Sequence, residues 1–334
     1  MIEPGSALFI AGTLGFAFMN GANDCGTMAA SVVSSRGLSP RTAAVVAAVS
    51  SFAGAMLLGS AVARTLGTGL VRLDQLPPAA DPFLACSAAL AATLAWSAAA
   101  WLLGIPSAYT HALLGGWFGG FMALGGPRVV DWGGAGGVLL AVLATPLLGL
   151  AAAWGAMRWL YGAAEELSLS AKEVFERLEG AEFAGLCLAH GANAAQKSMA
   201  LLVLAGMSLG ETWPWPTEMS IPLWARAVCS GAFAFGVLAG STRTLKTVGF
   251  GMFRVDTLHS TAALAASGLL LLGSTLAGLP LSPAQVNSSA LLGTGAARRG
   301  SAVRWDVAAD FMASWILTFP ACAAVSYLIV KFVE

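Results

Sequence analysis

An aspartate stands among asparagines and a glycine inside the first long apolar stretch of the chain: Asn20-Gly21-Ala22-Asn23-Asp24. At membrane depth an ionisable group costs from ~2.5 kcal/mol upward, so it faces a partner or a cavity. Asn20, Asn23 and Asp24, helped by backbone carbonyls where the glycines break the helix, offer the hard oxygen ligands that Na+ accepts. Asp24 alone can also carry a proton. The plainer reading is an aspartate that only caps a half-helix.

A second copy reads His190-Gly191-Ala192-Asn193-Ala194-Ala195-Gln196-Lys197. Its Asn193 joins the candidate ligands for the cation, so a Na+ site would draw on Asn23, Asp24 and Asn193. Gln196 and Lys197 lie in an apolar run where their polar atoms need partners. Lys197 can attract an anion, pair with Asp24, or reach out to an interface. His190 can shuttle protons or pack with one hydrogen bond.

Two further segments hold small polar residues behind a proline: Pro106-Ser107-Ala108-Tyr109-Thr110-His111, and Pro280-Leu281-Ser282-Pro283-Ala284-Gln285 followed by Asn287-Ser288-Ser289. Proline and hydroxyl residues suit the start of a half-helix, whose free N–H groups and positive dipole end favour an anion. Ser107, Thr110, His111, Ser282, Gln285, Asn287, Ser288 and Ser289 are candidates to line it. Each hydroxyl taken alone is as well explained by helix packing in a membrane.

The elements that must position these groups are membrane helices. Of 334 residues, 57% are hydrophobic and 10% charged, against about 25% charged in a soluble domain. The mean hydropathy is +0.76. A span needs about 20 apolar residues, leaving room for roughly ten and for no large soluble domain. Apolar stretches cover 5–33, 42–63, 83–103, 105–124, 134–160, 183–210, 220–241, 256–278, 281–296 and 306–333. Those at 105–124 and 281–296 are short, open beside proline and are rich in Gly, Ser or Thr. Such backbone is tolerated in lipid only when buried in protein or lining a watery cavity, so both are read as re-entrant helical hairpins.

The chain divides in two. Gly21-Ala22-Asn23 recurs as Gly191-Ala192-Asn193, Arg64-Thr65-Leu66 as Arg243-Thr244-Leu245, and Gly104-Ile105-Pro106 as Gly278-Leu279-Pro280, in one order and at nearly one interval. The expected fold is an all-α integral membrane protein of two inverted-topology repeats: residues 1–163, a polar linker helix at 164–182, and residues 183–334, with the site at their interface. Glu165, Glu166, Lys172, Glu173, Glu176, Arg177 and Glu179 of the linker read as a solvated face. Met1 to Phe18 has no Lys or Arg ahead of its apolar run, so it reads as a first span rather than a cleaved signal. Arg36 and Arg41 after that span favour an external N-terminus.

Composition also excludes. The 17 basic residues balance 17 acidic ones and form no block, so nucleic acid is not a partner. The three histidines show no metalloprotease spacing, no Gly-x-Ser-x-Gly elbow is present, and no cofactor is expected. The five cysteines are scattered in apolar surroundings and read as buried packing residues. Lipid is a partner by necessity. A homodimer is admissible, since apolar surfaces facing lipid and facing a second subunit look alike.

At these motifs the chain resembles the inorganic phosphate transporter family, including relatives that carry sulfate. Each half of that family carries a Gly-Ala-Asn-Asp motif, the second continuing as His-Gly-Ala-Asn-Asp-Ala-Gln-Lys, and a later Gly-Leu-Pro-x-Ser-Thr-Thr-His segment. Residues 21–24, 190–197, 104–111 and 278–285 stand in those places, and the likeness runs on through Thr242 to Gly249 into the last span. The resemblance implies a cation-coupled symporter of an inorganic oxyanion in the cytoplasmic membrane of a prokaryote. The Asp and Asn motifs would bind Na+ or H+, and the hairpins would hold phosphate or sulfate. An anion channel or a transport-dead sensor is the remaining alternative. Ala194 departs from the family by replacing the second aspartate. Ala108-Tyr109 and Pro283-Ala284-Gln285 replace hydroxyl residues and a histidine. Phosphate retains a proton that benefits from a buried acceptor, whereas sulfate needs donors only, so the lost carboxylate bears on both substrate and coupling.

Overall fold

Backbone N–H and C=O groups inside lipid find partners only within their own chain, so long apolar runs must coil into helices. A computed structural model describes residues 4–103, 107–164, 169–208, 221–240 and 242–334. Its described residues form twelve α-helices and no strand, apart from one bridge between Val71 and Val130. They are α1 Pro4–Ser34, α2 Pro40–Leu57, α3 Ala61–Thr68, α4 Pro82–Leu103, α5 Tyr109–Gly125, α6 Trp132–Ala164, α7 Leu169–Ser208, α8 Leu223–Ala239, α9 Thr242–Gly251, α10 Thr257–Leu276, α11 Pro283–Arg299 and α12 Trp305–Val333.

Among the described residues six helices, namely α1, α2, α4, α6, α10 and α12, are long and apolar enough to cross a membrane. Helix α7 has the length, 40 residues, but carries the second motif and the polar linker. Large apolar side chains point outward along these helices, with Leu140 71% and Leu269 72% exposed. Lipid, not water, is the environment that makes such a surface stable. All five cysteines are buried and free, as their surroundings indicated.

Packing crosses between the halves in matched pairs. Helix α1 packs on α8 and α2 on α7, and α5 packs on α12 and α11 on α6; α4 lies against its chain neighbour α5, and α10 against α11. Glycines set the distance. A Cβ on Gly21 would stand 2.1 Å from the Phe233 carbonyl oxygen, and one on Gly236 would stand 2.0 Å from that of Phe18. The matching contact puts Gly191 against Ser51 and Gly54 against Leu188, at 2.2 and 1.9 Å. Backbones touch here, and the close fit supplies dispersion contacts that a membrane cannot replace with hydrophobic force.

Two expectations change. Helix α1 runs unbroken through Asn20 to Asp24, so Gly21 frees no carbonyls and Asp24 caps nothing; the glycine serves the approach of α8. The linker is continuous with the second motif in α7, and Glu179 is 0% exposed rather than solvated. Its carboxylate accepts a hydrogen bond from Ser35 at the end of α1. Glu165 and Glu166 lie outside the described residues.

The break falls elsewhere. Helix α2 stops at Leu57 and α3 starts at Ala61, inside the stretch expected to run from 42 to 63. The Gln196 side chain fills the gap: Oε1 accepts from Val62 N at 2.9 Å and Ala63 N at 3.2 Å, while Nε2 donates to the Leu58 carbonyl at 3.3 Å. Helix ends leave backbone groups without partners, and one amide satisfies both sides of this one.

Candidate functional site

Side chains three or four residues apart share a helix face. On α7 this rule lines up Glu179, Glu182, Leu186, His190, Asn193 and Lys197. On α1 it lines up Asn20, Asp24, Thr27 and Ser31. The two helices run antiparallel, with Asp24 beside His190 and Ser35 beside Glu179.

His190 joins three elements. Its Nε2 lies 3.0 Å from Asp24 Oδ2, and the Asn287 amide nitrogen on α11 lies 3.4 Å from its Nδ1. With that amide donating to Nδ1, the ring carries its proton on Nε2 and donates it to the carboxylate. The two side chains are 0% and 3% exposed. Asn20 is buried on the turn before Asp24 with its Nδ2 unpartnered. Asn23 is half-buried on the same helix.

Lys197 is fully buried and does not reach an interface; its Nζ donates to the Leu281 carbonyl at 2.9 Å. The same carbonyl accepts from Thr110 Oγ1 at 3.1 Å. Asn193 Nδ2 donates to the Leu279 carbonyl at 3.0 Å and to Thr275 Oγ1 at 3.1 Å. Helix α7 therefore grips the tip between α10 and α11, where Gly278 takes a positive φ of 73° that suits glycine. Lys197 and Asp24 are close enough to interact electrostatically.

Helices α5 and α11 both begin at this point. Their first residues are buried, and neither N-cap, Ala108 or Ser282, makes a side-chain capping bond. Thr110 bonds across to Leu281, and the Gln285 amide nitrogen lies 3.4 Å from His111 Nε2. Two helix starts thus meet beside the buried Lys197 Nζ. Ser107 Oγ, His111 Nδ1, Asn193 Oδ1, Gln285 Oε1 and Asn287 Oδ1 are buried side-chain atoms without a hydrogen-bond partner. Such atoms cost free energy unless something else binds them.

Not every candidate joins this cluster. Gln196 is taken up by the α2–α3 gap, and Ser289 Oγ donates to the Gln285 and Val286 carbonyls of its own helix. Ser288 is buried in α11. Gly104, Ile105 and Pro106, the first hairpin tip, lie outside the described residues. Glu179, Glu182, Thr27 and Ser31 were absent from the candidates, although their spacing from His190 and Asp24 was legible in the sequence.

The sequence profile described as the phosphate transporter family matches residues 20–174 and 161–326. The chain belongs to this family. A "probable low-affinity inorganic phosphate transporter" of Rhizobium meliloti is 32% identical over 96% of this chain and 93% of its own length. One of the same description from Mycobacterium tuberculosis H37Rv is 34% identical, over 96% of this chain and 76% of its own. A solved structure described as the sodium-dependent phosphate transporter superposes with a TM-score of 0.85, at 23% identity and 98% coverage of both chains, and shows the fold. This member of the phosphate transporter family is a multi-pass membrane protein, and its family and curated relatives are transporters, not enzymes.

Proposed function

We propose that the chain carries inorganic phosphate across the cell membrane, driven by a cation that binds at the Asp24–His190 pair. The observation that carries this reading is the meeting of two uncapped, buried helix starts with Lys197. Helix N-termini and an ammonium together favour an anion, and unpartnered donors at Ser107 and His111 point the same way. Asp24 adds a proton acceptor, which phosphate can use and sulfate cannot. The names of the curated relatives agree with phosphate.

The donor set fits a coupling cation. Asn20 and Asn23 stand one turn and one residue from Asp24, and Asn193 Oδ1 is a buried amide oxygen without a partner. They would hold Na+, or Asp24 and His190 would hold the proton in its place. With Ala194 supplying no carboxylate, a single cation is expected at the first motif.

The halves would be inverted repeats around this site. Support comes from the antiparallel course of α1 and α7 and from the paired cross-packing of α1 on α8 and α2 on α7. Residues 105–124 and 281–296, expected as hairpins, each hold one 17-residue helix rather than a hairpin; α5 and α11 would be the re-entrant arms, packed on α4 and α10, and would close over the anion as access alternates.

Uptake of labelled phosphate or sulfate into proteoliposomes, under an imposed sodium or proton gradient, tests the assignment. Concentrative phosphate uptake under one gradient supports it. Sulfate uptake alone, or equilibration without accumulation, would replace it with a sulfate permease or a channel.

A further inference from the structure

Below the Asp24–His190 pair, toward the end of α1, four helices leave a narrow cleft of about 10 Å³, room for about one water molecule. Thr27 and Ser31 of α1, Ser267 of α10 and Asn287 of α11 line it together with apolar residues, Leu186 of α7 among them. Asn287 closes its inner end and touches His190. One turn before Leu186 on the same face of α7 stands Glu182, half-buried, beside Thr261 of α10. Beyond it Glu179 meets Ser35.

The polar atoms along this line are unusual for a membrane interior. Ser260 and Asn287 are 0% and 6% exposed, yet Ser260 Oγ and Asn287 Oδ1 lack partners, as does Glu182 Oε2, while Thr261, 4% exposed, reaches the Glu182 carboxylate. Small hydroxyl residues by themselves fit helix packing; buried amide, hydroxyl and carboxylate atoms left without partners are what packing does not account for. Oxygen atoms spaced along a cleft that leads to a buried carboxylate are what a monovalent cation, or a chain of waters passing a proton, requires.

We propose that this seam is the path by which the coupling cation reaches Asp24 and His190, with Glu182 as the carboxylate that receives it near the mouth. The inference rests on the reading of the chain as a cation-driven transporter and adds the route and its first ligand. Ser31 and Ser267 face the moving ion, and the Ser35–Glu179 contact lies at the outer end.

Two measurements test it separately. In the full-length protein reconstituted in liposomes, Ser31→Cys and Ser267→Cys should react with a small cationic methanethiosulfonate reagent. Leu269→Cys, on the lipid-facing side of α10, and the unsubstituted protein set the background. Labelling needs no transport, so it is decided whatever the substrate proves to be; reaction at background level at both serines overturns the path. In Glu182→Gln, uptake should need about tenfold more driving cation for half-saturation, with the phosphate KM at saturating cation unchanged. An unaltered half-saturation in folded Glu182→Gln overturns the role of that carboxylate, while gradient-driven phosphate uptake by the unsubstituted protein stands on its own.

Discussion

His190 Nε2 and Asp24 Oδ2 stand 3.0 Å apart, one from each copy of the repeated motif, in a place that solvent does not reach. Removing one partner of such a buried pair leaves the other without compensation, at a cost of about 3–5 kcal/mol. Asn at position 24 keeps an oxygen for the His190 N–H and loses only the charge. Asp24→Asn is therefore expected to fold and to lose gradient-driven phosphate uptake by about a hundredfold. Uptake assays on the monodisperse variant check it, and concentrative uptake at the unsubstituted rate would remove Asp24 from the coupling site.

Ala194 stands one residue after Asn193 and is fully buried. Ala194→Asp restores a carboxylate to the second motif. The dependence of uptake on sodium or proton concentration should become tighter or steeper. If neither cation dependence nor phosphate preference over sulfate changes, the second motif lies outside the site.

Gln196 satisfies three backbone groups across the α2–α3 gap. Leucine fills a similar volume and satisfies none. Gln196→Leu should destabilise the protein by about 2–4 kcal/mol, read as a lower thermal midpoint in detergent. The ratio of phosphate to sulfate uptake by the protein that survives should not move.

Gly191 admits no side chain, because its Cβ would stand 2.2 Å from the Ser51 carbonyl oxygen. Gly155 of α6 has nothing within 4 Å of the same position. Gly191→Ala should abolish assembly of α7 on α2, seen as loss of folded protein in the membrane. Gly155→Ala should stabilise by about 0.5–1 kcal/mol, the helix preference for alanine.

Asp256 caps α10 and pairs with His259 at 2.6 Å and Arg298 at 3.2 Å. Burial raises its carboxyl pKa, but the hydrogen bonds and charge of His259, with Arg298, outweigh that and hold it below the ordinary 3.8. A depressed carboxylate stabilises the fold fully above its unfolded value, and the contribution disappears as pH falls through the folded one. Asp256→Asn keeps the cap but loses the charge, so it should be less stable near pH 7 and show no further loss in acid, whereas Asp256→Ala should cost about 1 kcal/mol more by losing the cap as well. Thermal midpoints across the acid range distinguish the two.

Much of the molecule was legible from residue type and spacing. Apolar runs had to become helices, the recurrence of Gly-Ala-Asn picked out the stretches of α1 and α7 that meet, and proline before small polar residues marked the starts of α5 and α11. The charge of Asp24 in an apolar stretch was enough to single it out, because lipid leaves an ionisable group no solvent of its own.

Tertiary structure decided which partner each group received. Nothing local distinguishes Gln196, bound to a helix gap, from Lys197 beside it, bound to a hairpin tip; α3 and the α10–α11 tip come from distant parts of the chain. Gly21 read as a helix break because glycine permits one, and only the neighbour α8 shows that its missing Cβ serves close approach instead. Glu179 looked solvated because charge runs usually are, until the end of α1 was seen to cover it. The sequence by itself determined the helices, the recurring motifs and the ionisable residues, since these follow from the chain's own chemistry and period. The pairing of Asp24 with His190, the meeting of α5 with α11 and the polar seam depended on long-range packing, which no local preference encodes.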